Sequence, residues 1–164
     1  FPNQPESSGG SQDPLGRWLR IMGIDCARAG QVPAGQVLER ALEENRVLLT
    51  RDTRLARRRR RPPIEFIQSD HLELQLVQVL RAWKIDPTAR ACSRCIRCNA
   101  LLGPLSPTEA GPRVPARVTA SGAPLAACPV CGRVYWPGSH RVRMMRRLEQ
   151  LAQAVRSGRS GNPG

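Results

Sequence analysis

The chain has 164 residues and a formal net charge of +13 at neutral pH, a length that allows one compact domain with a small annex but not two full-sized domains. Apolar residues make up 40% of it, enough for a core, and no stretch approaches the roughly 20 apolar residues of a helical membrane span. Nearly all of the positive charge is arginine, Lys84 being the only lysine, which favours a polyanionic partner such as nucleic acid, because the planar guanidinium matches phosphate.

Residues 1–13 are rich in Pro, Ser and Gly and are expected to be disordered. They contain no signal-peptide hydrophobic region and no initiator Met, so the start is expected to be a fragment boundary or an altered N-terminus. From Leu15 the period becomes helical, with Leu15, Trp18, Leu19 and Met22 on one face and Gly23 as the stop. A second helix is predicted over about 34–44, with Val37, Leu38, Ala41 and Leu42 inward and Asn45 in the left-handed stop position. The apolar run 46–50 has strand length and leads into Arg51 and Asp52. Five consecutive arginines (Arg57, Arg58, Arg59, Arg60 and Arg61) are closed by Pro62 and Pro63. Residues 64–67 read as another strand, leading to Asp70, and a third helix over about 71–83 turns Leu72, Leu76, Val79, Leu80 and Trp83 inward.

This alternation predicts an α/β fold with a parallel sheet and covering helices over residues 14–90. Asp52 and Asp70 then each fall just past the carboxyl end of a strand, where open α/β sheets place their sites. Such acids could hold Mg²⁺ or Mn²⁺ for phosphodiester cleavage. Each also has a plainer use. Asp70 with Glu73 fits a capping pair for the third helix, and Asp52 could cap a short segment or pair with Arg51 and Arg54. The arginine tract is a solvated face or a phosphate-binding patch.

Two Cys-x-x-Cys pairs follow, Cys95 with Cys98 and Cys128 with Cys131. Four thiolates at this spacing close a tetrahedral Zn²⁺ site, and with all positions filled by protein the metal is structural. A third cysteine, Cys92, offers an overlapping choice. Knuckles turn through a conformation that Asn or Gly tolerates and β-branched residues do not. Cys98 is followed by Asn99 and Cys131 by Gly132, whereas Cys95 is followed by Ile96, so Cys95, Cys98, Cys128 and Cys131 are the expected ligands and Cys92 is spare. The Pro- and Gly-rich stretch 99–127 is longer than the usual gap of roughly 15–20 residues and shows no core period. The zinc ribbon is assigned to residues 91–140, and a basic helix with a disordered tail to 141–164, with Met144, Leu148, Leu151 and Val155 on one side. Tyr135 and Trp136 cover the ribbon's small core or meet nucleic acid, Trp136 by stacking on a base. His140 is a surface residue, a neighbour of the zinc or a nucleic-acid contact. Clustered cysteines without a secretory signal indicate a reducing, cytoplasmic setting.

The segments 16–23, 46–52, 94–99 and 128–140 together resemble the Mut-seven C-terminal RNase domain family, a PIN-like nuclease domain joined to a C-terminal zinc ribbon. The resemblance covers about residues 15–145. It implies a metal-dependent ribonuclease acting on RNA, with Asp52 and Asp70 among the metal-binding acids and Arg51, Arg54 and the arginine tract on phosphates. Family members open with an apolar strand ending in aspartate; here only Asp13 stands in a comparable place. Ala34, Gly35 and Gln36 stand where a further acid is expected. The sheet is therefore expected to lack its first strand and the acidic site to be short of ligands, impairing activity. The alternative is a non-catalytic RNA- or ribosome-binding protein that keeps the ribbon and the basic surface, with RNA, the ribosome or a larger RNA-processing assembly as partner.

Overall fold

A computed structural model describes residues 5–7, 13–30 and 32–158. Two sheets organise these residues. The first is four-stranded and fully parallel, and the second is three-stranded and antiparallel. The parallel strands are β1 (Pro5–Ser7), β2 (Ala27–Arg28), β3 (Val47–Thr50) and β4 (Ile64–Phe66), with helices α1 (Pro14–Ile21), α2 (Ala34–Glu43), α3 (Thr53–Ala56) and α4 (Leu72–Ala82) interleaved.

The central position of the parallel sheet is filled, contrary to the expectation that the first strand is lacking. Glu6 pairs with Ala27 on one side and Leu48 on the other. Composition misleads here because a parallel ladder is made by backbone groups. Pro5 stands first in the strand, where a missing N–H is tolerated best. Residues 1–4, 8–12 and 159–164, also expected to be disordered, lie outside the described residues.

Strand β3 shows why the sheet is covered on both faces. All four of its residues are buried, and alternate ones face opposite ways. Val47 and Leu49 join a core built from Leu15, Leu19 and Met22 of the α1 region and Leu76 and Leu80 of α4. Leu48 joins Val37 and Leu38 of α2, and Leu55 of α3, on the other face. In α4, Leu76, Val79 and Leu80 are buried as expected, but Trp83 is 37% exposed, because the helix ends at Ala82 and Trp83 only caps it.

The last helix, α7 (Ser139–Arg156), belongs to the larger core. Leu148 and Leu151 are buried there, with Met144 and Val155 packed alongside. Arg81 of α4 donates to the carbonyls of Ala154 at 2.8 Å and Val155 at 3.4 Å, satisfying the open C-terminal end of α7. Arg147 lies over the Trp18 ring at 5.4 Å.

The insertion between the cysteine pairs is folded. It contains β5 (Gly103–Leu105), α5 (Pro107–Ala110), a 3₁₀ turn, α6 (Ala116–Ala120) and β6 (Leu125–Ala127), and β7 (Val134–Tyr135) follows. Ala110, Val114 and Leu125 form a small core of their own, with Trp136 against it. Ser106 and Glu109 cap α5 reciprocally. Among the described residues no helix is long and apolar enough to cross a membrane.

Candidate metal centre and acidic edge

The four expected cysteines converge. The ligand sulfurs of Cys95, Cys98, Cys128 and Cys131 all lie within 4.8 Å of one another. Each knuckle is closed by a left-handed residue, Asn99 at φ 66° and Gly132 at φ 67°. Their amides donate back to the carbonyls of Cys95 and Cys128, at 2.8 and 2.9 Å. The Cys95 and Cys131 sulfurs are 3.8 Å apart. A tetrahedron with metal–sulfur bonds of about 2.3 Å has an edge of about 3.8 Å, so the donor set fits zinc in both chemistry and size. Cys92 stands outside the cluster, itself left-handed at φ 62°, with its amide donating to the Ile21 carbonyl at 2.7 Å.

Tyr135 bears on the cluster in a way that spacing does not reveal. Its hydroxyl donates to Cys95 Sγ at 3.2 Å. Burial pushes the Cys95 thiol up, but the Tyr135 hydroxyl and the backbone amides of Cys98 and Arg97 outweigh it and bring it down to about 6. The Cys98 thiol, hydrogen-bonded to Cys131, is pushed up to about 12. Trp136 packs in the ribbon core, and His140 is exposed in the first turn of α7.

The ribbon is pinned to the α/β layer by a polar seam. Arg20 is buried, donating to the carbonyls of Cys26 at 2.7 Å and Ile96 at 3.2 Å. Asp25 receives the Asn99 amide at 2.7 Å and pairs with Arg46 at 3.0 Å and Arg94 at 3.6 Å. Gly23 at φ 80° is required at this seam, since a Cβ there would lie 2.1 Å from the Arg90 carbonyl oxygen.

The acids sit differently. Asp52 is the N-cap of α3 and accepts the Arg54 amide at 2.8 Å. It also pairs with the Arg54 guanidinium, which holds its carboxyl below the usual range. Asp70 does not cap α4: the N-cap is His71, with no side-chain cap bond, and Ser69 Oγ accepts the His71 amide. Asp70 pairs with Arg51 at 2.6 Å. The loop carrying Asp70 is tied to α4 by Gln75, which donates to the Ser69 carbonyl, and by Gln78, which accepts the Gln68 amide. Parallel pairing of Thr50 with Phe66 brings both strand ends to one edge, and Arg51 links them.

Asp13 caps α1, its Oδ1 accepting the Gly16 amide at 2.9 Å. Its Oδ2 is buried without a hydrogen-bond partner among the described residues. That oxygen lies over Gly16, where a Cβ would meet it at 2.2 Å.

Among the described residues the four cysteines are the one group of three or more possible ligands close enough to hold an ion. Asp13, Asp52 and Asp70 are the right oxygen donors for Mg²⁺ or Mn²⁺, but they are not gathered into a hard-metal site, and two of them are ion-paired to arginine. The arginine tract follows α3 and returns the chain to the amino edge of the sheet, where Ile64 pairs with Leu48. Its far end thus approaches the edge opposite the acids. All five of its residues are exposed.

The family model of the Mut7-C RNAse domain matches residues 12–148, a span that includes Asp13, Asp52, Asp70 and both knuckles. No curated protein and no solved structure matches the chain.

Proposed function

The chain belongs to the Mut7-C RNAse domain family, and from that premise we propose that it hydrolyses RNA phosphodiester bonds at the carboxyl edge of the parallel sheet, with a structural zinc in the four-cysteine cluster. One observation carries the reading. The adjacent strands β3 and β4 both lead into an aspartate at the same edge, and Arg51 and Arg54 stand beside these acids.

The pairing there is easily exchanged. The Arg51 and Asp70 side chains are 53% and 79% exposed, and a surface pair of this kind contributes about 0.2–1 kcal/mol. An RNA phosphate is a better guanidinium partner, able to accept two parallel bonds. Arg51 and Arg54 would therefore turn onto the phosphate and leave Asp52 Oδ2 and the Asp70 oxygens free, Asp52 Oδ1 still holding the α3 cap. A Mg²⁺ or Mn²⁺ ion taken up by those oxygens would supply an activated water and offset charge on the phosphoryl group. Asp52 suits this role because it is ionised at neutral pH, and the α3 cap fixes its carboxylate.

A second reading is favoured by the same ion pairs. Each acid is already neutralised by arginine, and no third acid joins them among the described residues. On that reading the protein binds RNA without cutting it, within a ribosome or an RNA-processing assembly. Incubation of the zinc-loaded protein with single-stranded and structured RNA, with and without Mg²⁺ or Mn²⁺, separates the two. Divalent-dependent cleavage supports the enzyme; tight binding with intact RNA supports the second reading.

A further inference from the structure

A cleft of about 460 Å³ opens where the ribbon meets the start of α1. Five arginines line it, Arg17, Arg20, Arg28, Arg97 and Arg133, with a single acidic residue, Asp13. Its volume lies within the range of small-ligand sites, about 300–1,000 Å³. The arginines come from four separate places in the chain. Arg17 lies one turn into α1, Arg28 ends β2, Arg97 sits inside the first knuckle, and Arg133 directly follows the second.

Their states differ. Arg20 is buried and held by backbone carbonyls of Cys26 and Ile96, so it supplies charge to the wall rather than a free donor. Arg17, Arg97 and Arg133 are exposed, and no ion pair among the described residues engages them. Asp13 does not neutralise them by pairing, since one of its oxygens caps α1 and the other is buried over Gly16. Like charges converge here from both modules, an arrangement that is unfavourable until an anion enters it.

The position of the cleft indicates which anion. Arg28 ends β2, and the sheet order β2-β1-β3-β4 puts that end on the same edge as Asp52 and Asp70. Two strand spacings, roughly 10 Å, separate β2 from β3. One RNA strand can therefore reach both places. We propose that this cleft is a phosphate subsite for the RNA backbone, with Arg97 and Arg133 of the ribbon and Arg17 of α1 as its donors. It rests on the reading of RNA as substrate, and it gives the ribbon a part in binding. The two knuckles fix the backbone that carries Arg97 and Arg133, so zinc sets the spacing of the donors.

The test is a titration of zinc-loaded protein with a fluorescein-labelled single-stranded RNA oligonucleotide, without added Mg²⁺ or Mn²⁺, at several salt concentrations. Arg97→Ala with Arg133→Ala should weaken binding about tenfold or more and flatten the log–log salt dependence by about 0.7 for each phosphate no longer neutralised. Zinc content is measured alongside. Should that pair of substitutions release zinc, Arg17→Ala decides, because Arg17 is an exposed residue of α1 that lies in neither knuckle, and a weakening of about threefold or more is expected from it. Unchanged affinity and slope in variants that retain zinc, or no RNA binding by the parent chain, overturn the proposal. Adding Mn²⁺ to the bound complexes separates this idea from the nuclease reading. Bound but uncut RNA defeats hydrolysis and leaves the subsite standing. Cleavage by variants that bind as tightly as the parent defeats the subsite and leaves hydrolysis standing.

Discussion

Asn99 joins the two halves of the molecule: its side-chain amide donates to the Asp25 carboxylate at 2.7 Å while its side-chain oxygen accepts the Cys26 amide at 3.1 Å. The same residue closes the first knuckle at φ 66°. These two roles separate in Asn99→Gly, which keeps the left-handed turn and loses both side-chain bonds. That variant should retain zinc yet lose about 1–3 kcal/mol of stability in urea denaturation. An unchanged urea midpoint would show that the seam contributes nothing.

The seam also carries a pH dependence. Burial raises the Asp25 carboxyl, but the Asn99 amide and then the Arg46 and Arg94 guanidiniums outweigh it, and the group lies below its ordinary value. A carboxyl depressed in the folded state stabilises fully above its unfolded pKa, near 3.9, and that contribution is lost as pH falls through the folded value. Thermal midpoints of the parent chain and Asp25→Asn should therefore differ most at neutral pH and converge in acid below about pH 4. A constant difference across the acid range would remove Asp25 from the account.

Tyr135→Phe removes only the hydroxyl that donates to Cys95 Sγ. Partners of this kind orient a metal ligand and tune its charge, and their loss lowers metal affinity by about 10–100-fold. Competition with a chromogenic chelator should show that loss. In the metal-free protein the Cys95 thiol should titrate higher than in the parent, because the Tyr135 hydroxyl that lowers it is gone, slowing alkylation near neutrality. Equal zinc affinity and equal alkylation rates would contradict the contact.

Gly23→Ala tests the approach of the segment before the knuckle. The residue is left-handed at φ 80°, and a Cβ would press on a backbone oxygen, the least yielding kind of neighbour. Destabilisation of about 2–4 kcal/mol is expected, read as a lowered thermal midpoint. A midpoint equal to that of the parent would mean that the backbone there yields without cost.

Much of this was legible in the sequence, for identifiable reasons. The knuckles could be read because their turns need Asn99 and Gly132, and β3 because an unbroken apolar run suits a strand buried on both faces. The helices α1, α2 and α7 showed their inward faces by period. β1 was hidden because its pairing is made by the backbone while its composition resembles a linker. The folded insertion was hidden for a different reason, its elements being too short for a period to register. Ser106 with Glu109 was nonetheless a capping signature, and Pro107 at the first helical position supported it. The basic cleft could not be read at all, since Arg17, Arg28, Arg97 and Arg133 meet only after the ribbon docks on α1.

The central claim is that Asp52 and Asp70 carry RNA hydrolysis, and single-turnover cleavage of labelled single-stranded RNA by zinc-loaded protein in Mn²⁺ tests it most directly. Asp52→Asn with Asp70→Asn should lower the rate about 100-fold or more. RNA affinity should be kept or raised, since Arg54 and Arg51 lose their competing carboxylates. Cleavage by the double variant at the parent rate would contradict the account and move the chemistry away from the carboxyl edge of the sheet.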